Sequence, residues 1–263
     1  MPDVQSYYDQ NAEGEWSRLD RHRTEFAVTL RVLREYLPPP PAAVLDVGGG
    51  PGRHAIALAQ QGHAVTLVDL SPASVALAEQ NARTAGVSLR DAIAASAVDL
   101  GMLASGRFDA VLLMGPLYHL LTAEERAQAV AEALRVLKRH GVVFASFITR
   151  FAPFRDAAKN YPADVANDGP YMEHLLATGV HDRAKGWTQA YFAYPDEITP
   201  LMEKAGFQTL SLIGCEGIVA GHEERINGLS GPAWQRWVDL NYRMGKDPAL
   251  RGAADHLLYI GRK

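Results

Sequence analysis

The chain has 263 residues, of which 48% are hydrophobic, with a formal net charge of −4 and an isoelectric point near 6.1. That length and apolar content suffice for a large core and exclude a disordered chain, while the acidic balance lacks the clustered Lys and Arg that a nucleic-acid backbone demands. Residues 1–8 carry no secretion signal, no stretch approaches the ~20 apolar residues of a membrane span, and Cys215 is the sole cysteine, which excludes an internal disulfide and a cysteine zinc cluster.

The first predicted element is one long helix from Glu13 to Leu37, with Trp16, Leu19, Phe26, Leu30, Leu33 and Leu37 on one face; Pro38 to Pro41 ends it. The same periodicity turns Arg23 onto that apolar face, where a charge needs a partner. From there, strand and helix signals alternate as in a parallel sheet covered on both faces. Strands are predicted at Ala43–Val47, Ala64–Val68, Ile93–Ser96, Ala110–Met114, Val142–Ile148, Phe207–Ile213 and His256–Ile260. Ser71 followed by Pro72 caps a helix reaching about Ala85, and Thr122 with Glu125 forms a capping box for a helix ending near His140–Gly141. Pro195 with Asp196 and Glu197 opens another, which stops at Gly206. Two segments exceed the usual connection length: residues 151–194, rich in Phe, Tyr and Trp, read as a lid, and residues 217–252 as a second wall of the same pocket.

Between the first strand and its helix, "VLDVGGGPG" leaves the main chain bare, so that a ligand can approach unpaired N–H groups. Gly50, Gly52 and Ala55 fit a dinucleotide fingerprint, whereas Asp46, Gly48, Gly50 and Gly52 fit D-x-G-x-G-x-G. Asp69, closing the second strand, offers a carboxylate to the two hydroxyls of a ribose in either case. In "GPLYHLL", Tyr118 and His119 fall just beyond the fourth strand, at the edge where open α/β sheets hold their ligands; His119 can take a proton near neutral pH or orient a substrate. Glu216, at the end of the sixth strand, is positioned to meet a cationic group, and Tyr171 of the lid is a further candidate substrate contact. His174, His181 and His222 lack the i, i+4 spacing of a helical metal site, and no metal is expected.

Together "VLDVGGGPG", "VTLVDLSP", "FDAVLLMGPLYHL" and "EALRVLKRHGVVFASF", in that order and spacing over residues 43–150, resemble the motifs of class I S-adenosylmethionine-dependent methyltransferases. "AGF" and the final "HLLYIGRK" extend the likeness to the end of the chain. The resemblance implies an α/β fold, a doubly wound seven-stranded Rossmann-like sheet of order 3-2-1-4-5-7-6 with its last strand antiparallel. It implies one methyltransferase domain over residues 1–263: a helical cover to residue 41, a cofactor-binding core over 42–150, the lid over 151–194, and the rest of the core from 195. S-adenosyl-L-methionine is the implied cofactor, leaving as S-adenosyl-L-homocysteine. Asp46 then lies near the methionine amino group, Gly48, Gly49, Gly50 and Gly52 face the methionine part, Asp69 holds the ribose and Leu70 packs on adenine. Ser96, where the family usually has an acidic residue, Ala97, Met114 and Tyr8 complete the implied cofactor shell, and Arg23 is expected to meet an anionic group. The expected acceptor is a small, partly apolar molecule methylated at O, N or C, in a cytoplasmic protein with neither nucleic-acid nor membrane partner. A nicotinamide oxidoreductase and a noncatalytic cofactor-binding module are the alternatives, and sequence leaves the oligomeric state open.

Overall fold

The computed structural model describes residues 3–182 and 187–263. Seven strands form one sheet: β1 (Ala43–Val47), β2 (Ala64–Asp69), β3 (Asp91–Ala94), β4 (Phe108–Leu113), β5 (Leu137–Ile148), β8 (Gln208–Gly214) and β9 (His256–Arg262). Their spatial order is β3-β2-β1-β4-β5-β9-β8, with β9 antiparallel to both neighbours, so the expected topology is the observed one. The two remaining strands, β6 (Val180–His181) and β7 (Ala190–Tyr191), pair antiparallel in the long connection after β5.

Strand periodicity divides the core. Val44 of β1 faces one layer with Val65, Leu67, Ala110 and Leu112; Leu45 and Val47 face the other with Val68, Val111 and Leu113. The first layer is closed by α2 (Arg23–Tyr36), α3 (Arg53–Gln60), α4 (Pro72–Thr84) and α10 (Gly231–Gly245), the second by α5 (Ala123–Val136) and α8 (Pro195–Lys204). Helices α6 (Ala152–Asn160) and α7 (Gly169–Thr178) lie in the long connection after β5, and the short α9 (Glu223–Asn227) packs on α2. Ser71 caps α4 by accepting from the Ser74 N–H, and Thr122 and Glu125 make the reciprocal capping box of α5.

Two predicted elements need correction. The single helix over Glu13–Leu37 is two, α1 (Val4–Arg21) and α2, because His22 leaves helical geometry at φ −103° and ψ 52°. The chain after Val136 is already extended at Leu137, so β5 begins five residues before Val142 and the helix ends short of His140–Gly141. His140 there takes a left-handed φ of 67°, which no α-helix accommodates. Helix α1 runs over the carboxyl edge of the sheet, packing on α4 and α2. Among the described residues, no helix is long and apolar enough to cross a membrane.

Candidate active site

A cavity of about 490 Å³ opens at the carboxyl ends of β1, β2 and β4, beneath α1. Gly48, Gly49, Gly50 and Pro51 supply one wall, because the chain turns sharply out of β1 through left-handed conformations at Gly48 (φ 76°) and Gly50 (φ 52°). A Cβ on Gly50 would meet no atom within 4 Å, whereas one on Gly48 would collide with the Pro116 ring. The loop therefore presents bare backbone to the cavity, while its rear is packed against the turn after β4.

Asp69 ends β2 beside this loop. Its carboxylate accepts the Gly50 N–H at 2.8 Å and the Ser71 N–H at 2.9 Å. Burial raises its pKa, although these two backbone donors work against the rise. Each oxygen keeps a lone pair for a ligand hydroxyl. Leu70, Ser96, Ala97 and Met114 line the same cavity. Bare loop, strand-end carboxylate and apolar floor fit the methionine, ribose and adenine parts of the cofactor that the motifs imply.

Two members of the implied shell stand behind the wall instead. Gly52 is the N-cap of α3, and a Cβ there would press on Ala78 at 3.1 Å. Asp46 faces the buried layer of β1 under Gly49, and its Oδ2 has no hydrogen-bond partner among the described residues. Burial, reinforced by the Asp69 charge, pushes its pKa up to about 7.

Opposite the loop, Tyr8 of α1 reaches across to His119. Its hydroxyl lies 2.7 Å from Nε2, and the other ring nitrogen, Nδ1, is 3.0 Å from the carbonyl oxygen of Gln189 in the lid. Since a carbonyl only accepts, Nδ1 carries the proton and Nε2 takes the Tyr8 O–H. Burial holds the His119 pKa down at about 4, so the ring is neutral at physiological pH, and burial raises the Tyr8 pKa well above the usual range. Tyr118 and Trp187 stack edgewise or tilted around His119, with Trp187 at 5.0 Å between ring centroids.

Next to this pair lies a chain of buried and half-buried charges. Arg18 gives Nη1 and Nη2 to the two oxygens of Glu25, at 2.7 and 3.1 Å, and Nε to Glu15 at 3.1 Å. Glu25 in turn lies 3.8 Å from Nδ1 of His256, which bonds Glu216. Burial disfavours the charged His256 ring, but Glu25 and Glu216 outweigh it and lift its pKa to about 9. Glu25 stays ionised: burial opposes this, and Arg18 and His256 overcome it. His54, at the start of α3, lines the cavity, its Nε2 has no hydrogen-bond partner among the described residues, and burial lowers its pKa to about 4.

The three substrate candidates fall outside the cavity. Arg23 gives Nη1 to the carbonyl oxygens of Asn227 and Leu229 and lies 4.0 Å over Trp234, because the break at His22 rotates α2 relative to α1 and turns position 23 toward α9 and α10. Tyr171 packs in the lid's own small core and bonds His181. Glu216 is buried against His256 and serves it instead of an exposed ligand. Conversely, Glu15, Arg18 and Glu25 line the cavity without having been singled out. Their signal was present: Val4, Tyr8, Glu15, Arg18 and Leu19 share one face of a helix once it is started at Val4 instead of Glu13.

Comparison with known proteins agrees with this architecture. The methyltransferase domain family matches residues 44–141. A ubiquinone biosynthesis O-methyltransferase of Xanthomonas axonopodis pv. citri is 31% identical over 187 residues, 71% of each chain. A glycine/sarcosine N-methyltransferase of Parasynechococcus marenigrum is 34% identical over 147 residues, 53% of this chain and 50% of that one. The chain spans about half to two thirds of the length of the first curated relatives it matches. In fold, a Thermotoga maritima S-adenosylmethionine-dependent methyltransferase, described as a possible histamine N-methyltransferase, superposes with a TM-score of 0.60 at 19% identity, covering 99% of this chain and 100% of the other. With the glycine loop, the strand-end carboxylate and the sheet order all in place, the chain belongs to the class I S-adenosylmethionine-dependent methyltransferases.

Proposed function

We propose that residues 1–263 act as one domain that transfers a methyl group from S-adenosylmethionine to O, N or C of a small-molecule acceptor by in-line displacement. The observation that carries this is one cavity bounded on one side by the open Gly48–Gly50 backbone and Asp69, and on the other by the Tyr8–His119 pair. When bound, the cofactor supplies an electrophilic methyl group on a sulfonium. Gly48, Gly49 and Gly50 would hold its methionine part, Asp69 its ribose hydroxyls, and Leu70, Ser96, Ala97 and Met114 its adenine.

Displacement at a methyl group demands alignment first, and the chain's own contribution is to hold the nucleophile and exclude water. Tyr8 and Glu15 from α1 and Gln189 from the lid close over the cavity. The Tyr8 oxygen can accept the O–H or N–H of an acceptor while its own O–H donates to Nε2 of His119. Burial keeps Nε2 unprotonated for that role. Because a ring with so low a pKa is a weak base, orientation of the acceptor outweighs proton removal.

Calorimetric titration tests the cofactor assignment. S-adenosylhomocysteine is expected to bind with a Kd of roughly micromolar or below, and NAD not to bind. Binding of NAD in its place would overturn the proposal.

A further inference from the structure

The Arg18–Glu25–His256–Glu216 chain is not used by the proposed methyl transfer, on which the following inference rests. A second cavity of about 390 Å³ adjoins the first, with Tyr8, Glu15, Arg18 and Tyr118 lining both. Tyr7, Arg21, Ile148, Trp187 and His256 are among the residues that form its other walls. It thus combines several aromatic faces with a concentration of cationic groups.

His256 is held in an unusual manner. One Glu216 oxygen accepts its backbone N–H at 2.8 Å and the other bonds Nδ1, so a single buried carboxylate fixes both the ring orientation and the Nδ1 proton. Nε2 has no hydrogen-bond partner among the described residues and is the edge left for a ligand, in a ring that borders the second cavity. The charged groups around the ring are Glu216, Glu25 and Arg18, with Asp255 next in the chain and paired to Arg155. Glu15 is the one carboxylate lining the second cavity among the described residues, and one of its oxygens meets Arg18 Nε at 3.1 Å. A cation would have Glu15 alone, already facing the Arg18 charge, whereas an anion has two N–H donors, Nε2 of His256 and the Arg21 guanidinium.

Ligand atoms of Glu25, Glu216 and His256 also lie within 4.8 Å of one another, close enough to enclose a metal ion. The bonding disfavours that use. Both Glu25 oxygens are taken by Arg18, and a metal between them would stand against the guanidinium charge.

We propose that the second cavity is the acceptor subsite and takes a small aromatic carboxylate, its anionic group on Nε2–H of His256 and its ring among Tyr7, Tyr118 and Trp187. His256 is then a specificity residue, and Glu216 a positioning residue acting through it.

The probes are benzoate, its neutral isostere benzamide and the cation benzylamine, titrated into protein saturated with S-adenosylhomocysteine. Benzoate is expected to bind at least about tenfold more tightly than either of the others. His256→Asn, whose amide can still donate to Glu216, should weaken benzoate at least about fivefold and leave S-adenosylhomocysteine affinity within about twofold. In the unaltered protein benzoate affinity should be flat from about pH 6 to 8 and fall as the ring deprotonates near pH 9. Glu216→Gln should bring that fall at least about one pH unit lower, a shift that a merely structural role would not produce, and it supplies the test if His256→Asn does not fold.

Equal binding of benzoate and benzamide, preference for benzylamine, or an unshifted pH profile in Glu216→Gln would overturn the proposal. So would a parallel loss of S-adenosylhomocysteine affinity in His256→Asn, which would assign the anion to the cofactor's own carboxylate, or stoichiometric Mn²⁺ or Zn²⁺ binding abolished by that variant. Failure of S-adenosylhomocysteine to bind the unaltered protein overturns the proposed function as well; its binding with no saturable benzoate binding removes the subsite alone.

Discussion

At the scale of single residues, two buried groups carry opposite burdens. His119 gains both of its hydrogen bonds from distant parts of the chain, Tyr8 and Gln189, so its truncation removes an oriented pair and not just a ring. His119→Ala is expected to lower kcat at least about tenfold, and Tyr8→Phe by a comparable factor, with S-adenosylhomocysteine affinity changed less than about twofold; steady-state kinetics beside calorimetry separates the two effects. Near-normal turnover in both variants would remove the pair from the mechanism. Asp46, in contrast, is a carboxyl with an unpartnered oxygen and a pKa raised to about 7 by burial and by Asp69. A folded-state pKa above the unfolded 3.8 means that stability present below pH 3.8 is lost as pH rises through about 7. Asp46→Asn keeps the shape and deletes that loss, so the ligand-free variant should be more stable by about 1–3 kcal/mol at pH 8, with the gain vanishing toward pH 4, as followed by urea unfolding at the two pH values.

At the scale of elements, the glycine loop does two jobs that substitution can separate. Gly48→Ala drives a methyl into the Pro116 ring at a left-handed φ of 76°, so it should cost about 2–4 kcal/mol of stability together with cofactor affinity. Gly50→Ala meets open space at φ 52°; it should cost about 1–2 kcal/mol by backbone strain alone, while raising the S-adenosylhomocysteine Kd at least about tenfold because the methyl stands beside the cavity. Thermal unfolding and calorimetry on both variants check the contrast, and equal affinity losses at equal stability would contradict it. This loop was readable in the sequence because its chemistry is local: glycines between a strand and a helix bare the backbone to a ligand. The strand order came with the resemblance of the motifs to the methyltransferase family, whereas alternating apolar runs and caps by themselves gave only a parallel sheet covered on both faces. Arg23 was not, because periodicity assumes an unbroken helix and the departure at His22 carries no proline or glycine to announce it. The Tyr8–His119 contact spans 111 positions and depends on the path of the whole first helix, which no short-range pattern encodes.

At the scale of the whole molecule, the buried titratable groups set where the fold is most stable. His54 and His119 are neutral in the native state, with pKa values near 4 against 6.5 when unfolded; the unfolded chain binds their protons first, and stability falls as pH drops from about 6.5 toward 4. Glu25, held ionised against burial by Arg18 and His256, adds to that acid loss below its ordinary 4.5. His256 has the opposite sign. Its pKa rises to about 9 in the native state, so the stability it contributes is complete below pH 6.5 and disappears as pH climbs through about 9. Asp46, whose own loss runs from pH 3.8 to about 7, offsets one of the two histidines over the acid range and joins the alkaline loss only near pH 7. Each unbalanced proton changes stability by about 1.4 kcal/mol per pH unit, so the acid and alkaline limbs meet in a maximum near pH 6.5. The unfolding midpoint in denaturant, measured at half-unit intervals from about pH 4.5 to 9.5, should show this maximum. His256→Asn should flatten the limb above about pH 7 while preserving the acid one; a variant whose alkaline limb kept its full slope would show that the ring does not hold the extra proton in the folded protein.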